Sequence, residues 1–183
     1  MDVKLMIQGT PNPNALKFVL NKPVKTEGKI TYKNAGECAD NPLAQELFKI
    51  EHVNEVFFFD NYITITQDSQ GDWDEIEEKV QATIMALIGS HDPDFRSDSQ
   101  KQTKPRSSNP DLVKIDEILD RTVRPALQMD GGDLQLITLE NNVLTVNYQG
   151  ACGSCPSSTA GTLKAIEGLL RDEFNPDIVV EIG

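Results

Sequence analysis

Cysteine is scarce in this chain, three in 183 residues, an odd number too small to build a disulfide framework. A disulfide-stapled secreted scaffold is thereby excluded, and closely spaced thiols in a reducing compartment point to metal or redox chemistry. Long hydrophobic runs are missing too. None approaches the roughly 18 residues of a membrane span, so no membrane partner is expected. Positive charge is in deficit: 17 Lys and Arg stand against 29 Asp and Glu, a net charge of -12 that repels phosphate backbones and leaves no footprint for nucleic acid. Histidine occurs only as His52 and His91, without partner spacing, and both are expected at the surface or its boundary. Ser157, Ser158 and Thr159 consequently have no histidine base nearby and no machinery for nucleophilic hydrolysis. The N-terminus shows neither a basic-then-apolar signal nor an Arg-rich, acid-poor transit pattern. Strand-like residues from about Val3 leave nothing over for targeting, and the expected compartment is the cytoplasm.

An apolar share of 38% is enough for one ordinary domain or two small ones. The stretch "RSDSQKQTKPRSSNP", residues 96–110, lacks a strong hydrophobe and reads as a flexible linker with an average span of roughly 20 Å. It divides the chain into an acidic domain over 1–95 and a second acidic domain over 111–183. The tether itself is weakly basic. At that span each domain stays in the other's neighbourhood, so both can engage one partner without rigid docking.

In the first domain, "VKLMIQ" and "ALKFVL" read as strands around "GTPNPN", with a third strand near Lys29 to Tyr32. Asn41 and Pro42 form an N-cap and first-turn pair opening a short helix through Leu43, Leu47 and Phe48. "EVFFFDNYITIT" reads as a hairpin turning at Asp60-Asn61, and Phe57 to Phe59 as a buried or covered strand. Asp72 with Glu75 resembles a capping box, Trp73 a packing anchor, and Ile76, Val80, Ile84 and Leu87 a helical stripe ending near Gly89. The acidic run from Asp72 to Glu78 suits the positive end of that helix better than a metal. The second domain opens at Asn109-Pro110 with a helix through Leu112, Ile115, Leu119 and Val123, which Arg124-Pro125 should end. "MDGGD" demands a sharp turn with Asp130 and Asp133 capping amides. Strands "LQLITL" and "VLTVNY", a helix through Leu163, Ile166, Leu170 and Phe174, and a last strand "DIVVEI" complete an αββαβ order. The expected fold class is α+β: two small α+β domains joined by a flexible linker.

"GACGSCPSS", residues 150–158, holds Cys152 and Cys155 between a strand and a helix that Pro156 should open. Thiols near a helix N-terminus gain thiolate character from unpaired amides and the macrodipole. The i, i+3 spacing lets both sulfurs converge on one centre, with Gly153 permitting close backbone approach and amides free to bond inorganic sulfide. A 4Fe–4S cluster or a structural zinc wants four ligands, and this domain offers two. A two-fold homodimer would supply the rest, and a bridging centre held by few ligands at a surface loop is readily released, as a carrier requires. CxxC alone is a weak signal. A thiol–disulfide oxidoreductase also places it at a helix start, normally with a parallel strand partner where here a helix and a hairpin precede it; a zinc-stabilised interaction module has the same ligand set. Cys38, in "AGECAD", is read as an ordinary small residue rather than a third ligand.

These residues also carry a family resemblance. "RPALQMDGGDLQL" and "VNYQGACGSCPSSTAGTLKAIEGLL" resemble the C-terminal domain of NifU-type proteins, and "TPNPNALKF", "NPLAQELF" and "VNEVFFFDNYITIT" resemble the N-terminal domain of Nfu proteins. Together the two cover nearly the whole chain outside its linker. The resemblance implies a non-enzymatic scaffold or carrier that takes a 4Fe–4S cluster from an upstream donor, bridges it between two subunits, and delivers it to apo iron–sulfur client proteins. By position, Cys152 and Cys155 are the implied ligands, and "DGGD" is implied to shape the dimer or the surroundings of the cluster loop. The separate cysteine-rich domains of the longest NifU proteins are missing, so neither a permanent second cluster nor a desulfurase-docking scaffold is implied.

Overall fold

Successive side chains point to opposite faces of the first sheet, and its central strand is buried on both of them. The computed structural model describes residues 2–96, 109–155 and 159–183. The chain divides into two compact units, Met1–Thr103 and Lys104–Gly183. The expected linker over 96–110 lies, for residues 97–108, outside the described residues; at its far end Pro110 already belongs to a helix.

In the first unit, strands β1 (Leu5–Gly9), β2 (Ala15–Leu20), β3 (Lys25–Tyr32), β4 (Val53–Asp60) and β5 (Tyr62–Gln67) form one antiparallel sheet in the order β1-β2-β5-β4-β3. Val56 and Phe58 on β4 and Ile63 and Ile65 on the central β5 share one face. They pack with Phe18 and Ile30 and with two helices, α1 (Pro42–Leu47) and α2 (Trp73–Leu87). Asp60 turns the β4–β5 hairpin at φ 45°, a left-handed conformation that Asp tolerates. The Asn41 side chain accepts from Ala44 N–H and Pro42 starts α1, as the capping pair predicts. At α2 the capping box is only half made. Asp72 accepts from Asp74 N–H, while Glu75 reaches forward to Lys79 at 3.6 Å, since an i, i+4 partner of opposite sign lies within its reach. Trp73 anchors the helix start by donating from Nε1 to the Pro13 carbonyl at 2.9 Å.

The second unit contains α3 (Pro110–Thr122), α4 (Arg124–Met129), β6 (Gly132–Glu140), β7 (Val143–Gly150), α5 (Thr159–Glu173) and β8 (Val179–Ile182). Its order is therefore ααββαβ rather than αββαβ. Arg124-Pro125 does end α3, but proline suits a first helical turn as well as it breaks an interior one, and the chain restarts at once as α4. Asn141 and Asn142, at φ 51° and 65°, close a two-residue hairpin between β6 and β7. Ile115, Leu119, Ile166 and Leu170 from α3 and α5 cover Leu134, Leu144 and Val146 of the sheet. β8 pairs parallel to β7, so β7, α5 and β8 make a βαβ unit with the cysteine segment in its β-to-α connection. Both units are α+β.

Candidate metal centre

β7 ends at Gly150, paired with Gly132 at the start of β6 and held at φ 63°. From there the backbone closes a tight turn: Gly153 N–H donates to the Gly150 carbonyl at 2.9 Å, and Ala151 N–H to the Gly131 carbonyl at 3.2 Å. The second bond fastens the cysteine loop to "DGGD". Gly131, at φ 81°, supplies the sharp turn that the paired glycines predict. Gly132 has a different task. A Cβ there would lie 2.6 Å from the Cys152 sulfur and 2.6 Å from the Gln149 carbonyl oxygen, so only a residue without a side chain lets the sulfur rest against this strand. Gly153 is tight in a milder way, its Cβ position 3.2 Å from the Tyr148 carbonyl oxygen.

Cys152 and Cys155 are thus carried by one loop, and they are buried, 5% and 2% exposed. The expectation of a surface-displayed pair is corrected, because Cys152 packs into the core of the second unit under Gly132 and beside Tyr148. The expected thiolate character is corrected with it. Burial pushes the Cys152 thiol up to about 12, with Asp130, Cys155 and Asp133 adding to the effect, so the thiol form dominates at neutral pH. Desolvation leads, and the negative neighbours act in the same direction. The expected first-turn position of Pro156, and residues Ser157 and Ser158, lie outside the described residues.

The parallel β7–β8 pair removes one topological objection to a thiol–disulfide oxidoreductase. The raised Cys152 supplies a chemical one, since attack on a disulfide needs a thiolate and oxidoreductase cysteines are held low. Tyr148 lines the same wall. Its hydroxyl is buried with no hydrogen-bond partner among the described residues, and burial, then Cys152, push it up to about 12.

Asp133 does more than cap a turn. Almost wholly buried, it accepts from Leu134 N–H at 2.7 Å and from Gln128 Nε2 at 3.4 Å, and it faces Arg124. Sequence reasoning took Arg124 only as a helix terminator and passed over Tyr148. The signal for Arg124 was present: Asp116, Asp120 and Arg124 recur at helical spacing, placing two carboxylates beneath one guanidinium.

The remaining candidates lie in the first unit. Cys38 is fully buried in its core, as an ordinary small residue would be. His52 is half-buried and faces Asp68 at 3.1 Å. His91 is more built-in than a boundary residue: it stacks on Phe58 at 5.8 Å and donates from Nε2 to the Val24 carbonyl, and burial lowers its pKa. Phe57 and Phe58 are fully buried on opposite faces of β4, consistent with the two-sided burial expected of that run. Among the described residues, no three His, Cys, Asp or Glu side chains gather as a metal cage.

Residues 5–91 match the family described as scaffold protein Nfu/NifU N terminal, and residues 115–181 match the NifU-like domain. The chain belongs to the Nfu/NifU family. Among its relatives, the human NFU1 iron-sulfur cluster scaffold homolog, mitochondrial, is 34% identical over 91% of this chain and 66% of its own length. NifU-like protein 4, mitochondrial, of Arabidopsis thaliana is 31% identical over 91% of this chain and 61% of its own length. The chain therefore spans about three fifths to two thirds of these curated relatives. A solution structure of a NifU-like protein from Saccharomyces cerevisiae aligns with 48% of this chain and 80% of its own, at 26% identity and a TM-score of 0.45, too loose to add to the family match. Both relatives carry mitochondrial names, which stand beside the cytoplasmic expectation for this family member. No helix among the described residues is long and apolar enough to cross a membrane.

Proposed function

We propose that this Nfu chain is an iron–sulfur cluster carrier. Cys152 and Cys155 of two chains bind a 4Fe–4S cluster as cargo, and thiolates of an apo client protein then displace them. One observation carries the reading: two cysteines on a single glycine-built loop, within the NifU-like match, with the Cys152 sulfur seated against a strand that cannot bear a side chain at the point of contact. Two soft donors per chain are half of a four-thiolate set, so a homodimer completes it. No bond of an organic substrate is broken, and the chain acts as a non-enzyme. Taking up cargo must remove the proton from Cys152 and open both sulfurs to a second chain while the loop stays rooted at Gly131 and Gly132. The first unit serves client recognition, while an upstream donor supplies the cluster.

Anaerobic reconstitution of the reduced protein with iron and sulfide, followed by metal and sulfide analysis and native mass, tests this. About two irons and two sulfides per chain in a dimer support a shared four-iron cluster. Loading should vanish in Cys152→Ser and in Cys155→Ser with the fold retained. Zinc held at half an ion per chain would replace the carrier with a zinc-stabilised module. A metal-free monomer cycling between dithiol and disulfide would replace it with an oxidoreductase.

A further inference from the structure

Arg124 stands at the joint between α3 and α4 with its side chain only 12% exposed, and three carboxylates converge on it. Its Nη2 lies 2.6 Å from Asp116 Oδ1 and its Nη1 meets Asp120 Oδ1, both from α3. On the opposite side, Nε lies 3.3 Å from Asp133 Oδ1, an ion pair not aligned as a hydrogen bond, and Nη2 approaches the Leu134 carbonyl at 3.5 Å. One guanidinium therefore ties α3 to the first residues of β6.

The chain of contacts continues to the cysteines. Asp133 is bonded directly to Gly132, on which the Cys152 sulfur rests, and Gly131 accepts the Ala151 N–H at the root of the cysteine loop. Removing a cation from beside a buried carboxylate leaves an uncompensated charge, and the segment carrying it moves toward water. Here that segment is the seat of Cys152. We infer that Arg124 is a positioning residue for the cysteine loop, clamping the Asp133 end of β6 to α3 so that Gly131 and Gly132 hold Cys152 in register with Cys155. The inference rests on reading those cysteines as ligands. A lysine cannot replace the clamp in full, because a point charge on a flexible stem does not span three carboxylates as a planar fork does.

Arg121 is an internal control. It carries the same charge three residues earlier, in the last turn of α3, but pairs with Glu173 at the surface. Full-length, metal-free Arg124→Gln, Arg124→Lys and Arg121→Gln should be compared with the parent by three measurements: peptide-resolved maleimide labelling with Cys38 as reference, amide exchange along β7, and cobalt(II) titration followed by the thiolate-to-cobalt charge-transfer band.

Arg124→Gln should label Cys152 at least tenfold faster and bind cobalt at least tenfold more weakly, with β7 protection unchanged. Arg124→Lys should fall between it and the parent, and Arg121→Gln should match the parent. The inference is overturned if Arg124→Gln behaves as Arg121→Gln does, or if Cys152 labelling rises only in step with β7 exchange, since the unit would then be opening as a whole. Should Arg124→Gln fail to fold, Arg124→Lys decides by the same criteria. A parent chain with no thiolate-to-cobalt band would overturn the ligand reading, while a labelling difference between the two arginine variants would still uphold the clamp.

Discussion

Replacing Gly132 by alanine adds one methyl group where the structure has no room for it. The new Cβ would stand 2.6 Å from both the Cys152 sulfur and the Gln149 carbonyl oxygen, about 0.8 Å inside ordinary 3.4 Å contact on two sides at once. Gln149 cannot yield cheaply, because its backbone lies in the β6–β7 ladder opposite Asp133. The sulfur must move. Overpacking of this kind costs about 1–3 kcal/mol, and a ligand displaced by most of an ångström should lose at least tenfold in metal affinity, about 1.4 kcal/mol. Gly168→Ala is the matched control, an exposed helical glycine on α5 whose Cβ would meet nothing within 4 Å. It should leave metal affinity unchanged and stabilise the unit by about 0.5–1 kcal/mol. Cobalt(II) titration and urea unfolding of both variants supply the numbers. A Gly132→Ala protein that binds cobalt within twofold of the parent would refute the seat assigned to Cys152.

Three further outcomes are expected. Glu55 on β4 is half-buried, its Oε1 shut from water and unpartnered among the described residues, and burial pushes it from 4.5 up to about 7, Lys33 pulling it down and Glu37 pushing it further up. The folded first unit keeps a proton that the unfolded chain releases above pH 4.5. Its stability should therefore be greatest below that point and fall as pH rises through 7, by at most about 3 kcal/mol. Glu55→Gln should flatten the profile in denaturant melts between pH 4.5 and 8, and a wild-type profile already flat over that range would contradict the assignment. Because Cys152 holds its proton up to about 12, cobalt binding should strengthen about tenfold per pH unit between pH 6.5 and 8.5 for each Cys152 thiol displaced. Pairing calorimetry in buffers of different ionisation enthalpy with the titration checks the proton count, and a pH-independent affinity would mean that the thiol is not displaced. Deleting residues 1–95 should leave cluster loading intact and slow delivery to an apo client. Equal loss of both would place the first unit in cargo binding instead.

Local patterning made most of the elements legible, and non-local contacts decided what was not. The continuous apolar run Val56 to Phe59, the alternation Ile63-Thr64-Ile65, and the stripe Ile76, Val80, Ile84 are properties of neighbours in sequence. The short α4 escaped because proline after Arg124 carries two meanings, stop and start, and only the packing of Leu127 in the core selects the second. The candidate site divides in the same way. Cys152 and Cys155 are visible as a pair in nine residues, whereas their chemistry depends on segments far away in the chain. Spacing puts them before a helix and so suggests thiolates. Gly132 brings a strand against the sulfur, water is shut out, and Asp130 and Asp133 add negative charge, so Cys152 stays protonated. The reversal bears on the proposed function. A permanently reactive thiolate pair would oxidise to a disulfide between deliveries, while a buried thiol resists attack until the loop opens. For a carrier that spends part of each cycle empty, seating Cys152 against "DGGD" protects the site in that interval, and the same contact holds the loop in register when cargo arrives.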